Sequence, residues 1–152
     1  EKIELLDGSS AQVGEGTLAD AVRDADVFIG LSKPGVLSQD MVRSMHEKPI
    51  IFALANPTPE IMPEEAKAAG AFIIATGRSD FPNQVNNSLV FPGAFRGMLE
   101  ANIPQFRIEM FKAIAEALTT LIAEPTTEKI LPSMFDAGVA DLVSETIQSF
   151  RS

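Results

Sequence analysis

The residues best equipped for chemistry in this chain form one polar run, Thr76-Gly77-Arg78-Ser79-Asp80-Phe81-Pro82-Asn83-Gln84-Val85-Asn86-Asn87. Two amide pairs, Asn83-Gln84 and Asn86-Asn87, stand beside one Arg and one Asp, so the segment offers many directional donors and acceptors but little net charge. That inventory suits a small polar ligand bearing carboxylates or a carboxamide. A short apolar segment, Ala71 to Ala75, precedes the run and reads as a buried strand. Its polar successors then emerge at the carboxyl edge of a sheet, where open parallel sheets bind ligands.

Two further apolar segments end in similar turns, Gly30-Leu31-Ser32-Lys33-Pro34-Gly35 and Ala53-Leu54-Ala55-Asn56-Pro57-Thr58-Pro59-Glu60. If the strands are parallel, all three turns share one edge. Gly30, Gly35 and Gly77 would let a ligand approach the backbone, and Ser32 adds a small hydroxyl. Taken singly, each turn is explained by Gly and Pro serving loop geometry. Three on one edge, two of them leading into Asn, favour a site.

The elements that position these residues alternate. Thr17 with Asp20 resembles a helix-start box, and a short helix runs to about Asp24. Val27 to Leu31 reads as a strand, Ser38 caps a helix over roughly 39–47, and Ile50 to Leu54 is a second strand. Pro63-Glu64-Glu65 opens the next helix, Gly70 closes it, and Phe72 to Ala75 makes the third strand. Continuous apolar strands separated by helices of this length indicate parallel β-α-β units covered on both faces. Beyond Asn83 the pattern predicts a helical segment broken near Pro92-Gly93, a helix over about 105–123, a loop over Pro125 to Asp136, and a last helix over about 138–150. The expected fold is α/β: the second half of a Rossmann-like parallel sheet, about three strands, with C-terminal helices. Residues 17–83 form the β-α-β-α-β half and 84–152 the helical part of one partial domain.

Composition narrows the function. The 152 residues carry a formal net charge of −9, which argues against nucleic acid or an anionic membrane as the main partner. No apolar run approaches the ~18 residues that span a bilayer, and the absence of cysteine fits a reducing, cytoplasmic setting. His46 is the single histidine and reads as a surface residue, so a multi-His metal site cannot be assembled here. Arg78 and Asp80 are expected to pair and shape their loop; Phe91, Phe95, Phe106 and Phe111 are expected in a core or interface. Gly14-Glu15-Gly16-Thr17-Leu18-Ala19 has the spacing of a dinucleotide fingerprint, yet it follows a polar stretch and would set a carboxylate against a pyrophosphate. It reads as a plain loop.

Ala25-Asp-Val-Phe-Ile-Gly-Leu-Ser32, Phe52-Ala-Leu-Ala-Asn-Pro-Thr-Pro-Glu-Ile61, the run from Thr76 to Asn87, and Phe91-Pro-Gly-Ala-Phe-Arg-Gly97 together resemble the cofactor-binding domain of bacterial-type malic enzymes. The resemblance extends from about Thr17 to the end of the chain. It implies oxidation of malate with NAD or NADP and, with Mg²⁺ or Mn²⁺, decarboxylation to pyruvate and CO₂. It further implies that Asn56 and Asn87 contact substrate beside the nicotinamide, that Asn86 is their cofactor-side neighbour, and that Ser32 sits near the dinucleotide. A homodimer or larger homo-oligomer is the implied assembly.

The family's proton donor is a tyrosine, and this chain has none. By the same resemblance the lysine base, the metal ligands and the glycine-rich phosphate loop belong to earlier segments. Glu1 is not an initiator methionine, so the chain is expected to begin inside a longer polypeptide, and alone to lack catalytic residues, metal ligands and activity. A half sheet would also expose an edge and an apolar face, favouring self-association or pairing with the missing segment. Two other classes stay open at this stage: another NAD(P)-dependent hydroxy-acid or amino-acid dehydrogenase domain, and a non-catalytic interaction module.

Overall fold

The computed structural model describes residues 16–151. Its centre is a parallel sheet of three strands in the order β1-β2-β3, formed by Val27–Gly30, Ile50–Ala53 and Ile73–Thr76. Each crossover carries one helix: α2, Gln39–Ser44, lies between β1 and β2, and α3, Pro63–Ala68, between β2 and β3. The α/β, Rossmann-like reading is therefore the observed fold. Gly14 and Glu15 of the Gly14 to Ala19 spacing lie outside the described residues; its described end leads through the cap Thr17 into α1, Leu18–Val22.

Local chemistry explains the boundaries. Thr17 Oγ1 accepts the Asp20 N–H at 3.3 Å while the Thr17 N–H donates to Asp20 Oδ2 at 3.0 Å, so two orphan donors of α1 are satisfied reciprocally. Ser38 Oγ accepts the Met41 N–H at 3.2 Å and starts α2. Pro63 occupies the first turn of α3, and Gly70 follows its end at φ +105°, a conformation that costs other residues a Cβ clash. The sheet and these helices bury Val42, Ile51, Ala53, Ile61, Ala66 and Ile74 in one core. Ile51 has no exposed surface, worth about 1.5 to 3 kcal/mol against leaving it in water.

A second core is wholly helical. A short 3₁₀ turn, Asn87–Leu89, leads into α4, Phe91–Ala101; α5 follows as Ile108–Thr119, and α6, Val139–Gln148, packs against both. Met110, Ile114, Val143 and Ile147 are buried between them. Here the expected break at Pro92-Gly93 is corrected. Pro92 sits in the first turn of α4, where a helix has no use for its missing N–H, and the helix continues through Gly93. Gly93 serves packing, since a Cβ there would lie 2.5 Å from the Ala140 carbonyl oxygen on α6. The two later helices are also shorter than their apolar patterns suggest. Gly138, at φ +86°, delays the start of α6.

Candidate functional site

The sheet register aligns Gly30, Ala53 and Thr76, so the three following turns do share one edge. Beyond β3 the chain bends back: the Val85 N–H donates to the Thr76 carbonyl at 2.8 Å. Asn86 then fastens the return, its Nδ2 donating to the Gly77 carbonyl at 3.2 Å and its Oδ1 accepting the Ser88 N–H at 3.0 Å. That cap nucleates the 3₁₀ turn and places Asn87 at its first position. The result is a cleft of about 520 Å³ along the sheet edge, lined by Asn56, Gly77, Asn86 and Asn87 on its polar side and by Leu31 and Phe91 among its apolar walls.

Asn56 and the asparagines of the polar run are sorted by their partners. Asn56 and Asn87 are exposed on the cleft, and neither side chain has a protein hydrogen-bond partner among the described residues. Their NH₂ and C=O groups are available to a ligand. Asn86 already uses both ends of its amide as a cap and tether. Asn83, included above among ligand-facing groups, is only 6% exposed. Its Nδ2 donates to the carbonyls of Ile74 at 3.1 Å and Thr127 at 2.8 Å, and its Oδ1 accepts the Ile130 N–H at 2.9 Å. It pins the loop before α6 to β3, a task that Lys67 and Glu128 reinforce with an ion pair of 2.9 Å.

Ser32 lies in the turn after β1, exposed and next to the cleft residue Leu31, but it is not part of the cleft lining. The glycines divide similarly. Gly77 lines the cleft, and the nearest atom to a Cβ there would be the Val85 carbonyl oxygen at 3.7 Å, so its backbone is open to close approach. Gly35, at φ +69°, serves turn geometry. Gly30 is a correction: a Cβ at this position would lie 2.5 Å from the Glu60 carboxyl carbon. The close approach that requires glycine is made by this protein's own side chain, not by a ligand. Glu60 itself, fully buried, was missed in the sequence, where the one sign was an acid set between Pro59 and the apolar pair Ile61-Met62.

Arg78 and Asp80 pair as expected, through Nε to Oδ1 at 2.8 Å and Nη2 to Oδ2 at 2.6 Å. The guanidinium also sits 5.2 Å from the Phe81 ring and reaches the Pro57 carbonyl at 3.5 Å, linking the turns after β2 and β3. The hydrogen bonds from Arg78 hold the Asp80 carboxyl below its ordinary value. A depressed carboxyl contributes stability above its unfolded pKa and loses it as pH falls through the folded value. The advantage of the native protein over Asp80→Asn in unfolding midpoint should therefore persist at neutral pH, begin to shrink below about pH 4 and disappear only below the folded value. A gap unchanged down to pH 3 in denaturation scans would exclude this pairing.

His46 is exposed on the surface, its Nδ1 3.3 Å from Asp26 Oδ1. The phenylalanines stack as Phe91 with Phe95, centroids 5.4 Å apart, and Phe106 with Phe111 at 5.0 Å. Phe95 and Phe111 are 58% and 47% exposed, so neither belongs to a core within the described residues. Among those residues no cluster of three or more His, Cys, Asp or Glu side chains could hold a metal ion, and no helix is long and apolar enough to cross a membrane.

A parallel β-α-β sheet with a polar cleft at its carboxyl edge has the architecture of a dinucleotide-binding domain. The family model "Malic enzyme, NAD binding domain" matches residues 6–147, and the chain belongs to that family. It is 50% identical over 135 residues to the bifunctional malic/malolactic enzyme of Bacillus subtilis, covering 88% of this chain and 33% of that protein. Against the NAD-dependent malic enzyme of Geobacillus stearothermophilus the identity is 44% over 135 residues, covering 88% and 28% respectively. Among solved structures, the NAD-dependent malic enzyme of Thermotoga maritima superimposes with a TM-score of 0.89 at 42% identity, over 96% of this chain and 38% of that one. The matched region spans a third or less of the length of the curated relatives it matches, from 33% of the Bacillus subtilis protein to 14% of the NAD-dependent malic enzyme of Rhizobium meliloti.

Proposed function

We propose that this chain is the cofactor-domain portion of an NAD(P)-dependent malic enzyme, a polypeptide that oxidises malate and releases pyruvate and CO₂. The observation that carries the reading is the cleft at the sheet's carboxyl edge, which two unengaged amides, Asn56 and Asn87, both line. An amide NH₂ can hold a substrate carboxylate without the full charge neutralisation of a lysine, and hydride transfer depends on holding the hydroxyl-bearing carbon against the acceptor ring. NAD or NADP supplies that hydride acceptor. Asn56 and Asn87 would orient substrate and the nicotinamide end, and the open backbone at Gly77 leaves room for the cofactor to lie close. Asn86 acts mainly by holding that geometry, with one remaining N–H to offer the cofactor side; Ser32, outside the cleft, would meet a more distant part of the dinucleotide.

Mg²⁺ or Mn²⁺ is the metal that this reading implies. The described residues do not furnish its ligands, so these are assigned to other segments of the polypeptide. The same holds for the general acid, as the chain has no tyrosine. A cytoplasmic location accords with the lack of cysteine, and a homodimer or larger homo-oligomer with the apolar side chains Phe95, Leu99 and Ile108 left exposed on α4 and α5.

Full-length polypeptide supplied with malate, Mn²⁺ and either NAD or NADP should produce reduced nicotinamide and CO₂ in equal amounts. Oxidation without CO₂ would point instead to a hydroxy-acid dehydrogenase. The isolated 152-residue chain should show no turnover above a metal-free background under the same assay. Malate-dependent reduction by that chain alone would mean that an acid and a base are present where none is assigned.

A further inference from the structure

Glu60 is the one buried acidic residue among those described; every other Asp and Glu there is exposed. Burying a carboxylate is costly unless its oxygens are satisfied. Here they are, by backbone from two different strand ends. Oε1 accepts the Ser32 N–H at 2.9 Å and Oε2 accepts the Ala55 N–H at 3.0 Å. Ser32 lies in the turn after β1, and Ala55 directly precedes Asn56. The main chain adds two more ties, with the Leu37 N–H donating to the Glu60 carbonyl at 3.1 Å and the Gly35 N–H to the Pro59 carbonyl at 3.3 Å.

We infer that Glu60 is a positioning residue whose single carboxylate cross-links the turn after β1 to the turn that carries Asn56, so that the cofactor-side and substrate-side edges of the cleft are set together. This rests on the reading proposed above. Two converging N–H groups need a group that accepts through both oxygens, and only an ionised carboxylate of this reach does so; a glutamine of the same size would turn an NH₂ toward one of the donors. Gly30 is the complementary half of the device. With a Cβ there 2.5 Å from the Glu60 carboxyl carbon and 2.6 Å from Oε1, the side chain would be pushed off its donors without being replaced.

The test uses the full-length polypeptide as wild type, Glu60→Gln and Gly30→Ala, comparing kcat, both KM values, Tm, and amide exchange in segments containing Ser32 and Ala55. Both variants should lower kcat/KM by about 10- to 100-fold for malate and for dinucleotide together, with faster exchange at both amides in Gly30→Ala and at one or both in Glu60→Gln. The inference is overturned if the variants melt lower yet keep their kinetic constants within about twofold per folded enzyme, or if only one ligand's constants move. Wild-type protein inactive toward malate would sink the functional reading instead. The cross-link would then be judged by exchange alone, supported by loss of protection at one or both of Ser32 and Ala55 in Glu60→Gln and refuted if both stay protected.

Discussion

Asn87→Ala in the full-length enzyme should reduce kcat/KM for malate about 100-fold, equivalent to about 2.7 kcal/mol of transition-state stabilisation, while the unfolding midpoint barely moves. The separation is expected because the Asn87 side chain has no protein partner among the described residues, so its removal leaves no buried donor or acceptor unsatisfied. Asn86→Ala should behave in the opposite sense. It deletes the cap on Ser88 and the tether to Gly77, at a cost of about 1 kcal/mol in stability, and it affects catalysis mainly through displacement of its neighbour. Asn56→Ala should resemble Asn87→Ala, and the double variant should lose less than the product of the single effects, since both amides would act on one substrate. Steady-state kinetics of the three single variants beside their melting curves decides the matter. An Asn87→Ala enzyme within about threefold of wild type would remove the cleft from consideration as the substrate site.

The second large effect concerns the helical half. Substituting Gly97 by Val should destabilise the protein by about 3 kcal/mol, a large share of the 5 to 15 kcal/mol typical of a folded domain. On α4, Gly93 and Gly97 are spaced one turn apart and lie against α6. A Cβ at Gly97 would stand 2.6 Å from the Ser144 carbonyl oxygen and 2.9 Å from the Ile147 Cβ; at Gly93 it would stand 2.8 Å from the Val143 Cβ. The obstructing atoms are backbone and first side-chain carbons, which cannot rotate away, so relief requires the helices to separate. Separation would strain the buried Ser144, whose Oγ accepts from Arg96 Nε at 3.2 Å and Gln148 Nε2 at 3.0 Å. Even Gly97→Ala should be destabilising, although Ala is favoured over Gly by about 1 kcal/mol within a helix. Urea denaturation that found Gly97→Ala neutral or more stable would show that the two helices do not meet at this face.

Much of the architecture was legible without coordinates, for reasons that are local. Thr17 with Asp20, Ser38, and the pairing of Pro63 with Gly70 mark helix ends because the groups they satisfy or strain lie within a few residues. The strands were visible as short apolar runs because both faces of a parallel sheet are covered. The errors share a different cause. Pro92-Gly93 looks like a break, yet the glycine answers to α6, which begins at Val139. Gly30 was rightly read as a point of close approach, but the approaching group comes from Glu60, thirty positions away in sequence. Nothing within a few residues of either glycine identifies its partner.

By itself, then, the sequence determined the order of elements, the parallel sheet, the edge on which its turns converge and the family to which its motifs belong. The first three follow from periodicity, capping chemistry and spacing along the chain, and the family from the resemblance that its motifs carry. Only the tertiary structure decided which amides of the polar run are free. Asn83 is immobilised by Ile74, Thr127 and Ile130, and Asn86 by Gly77 and Ser88, whereas Asn56 and Asn87 both line the cleft with no protein partner among the described residues. The physical reason is that an asparagine's availability depends on whether distant backbone donors and acceptors reach it, and residue type carries no record of that.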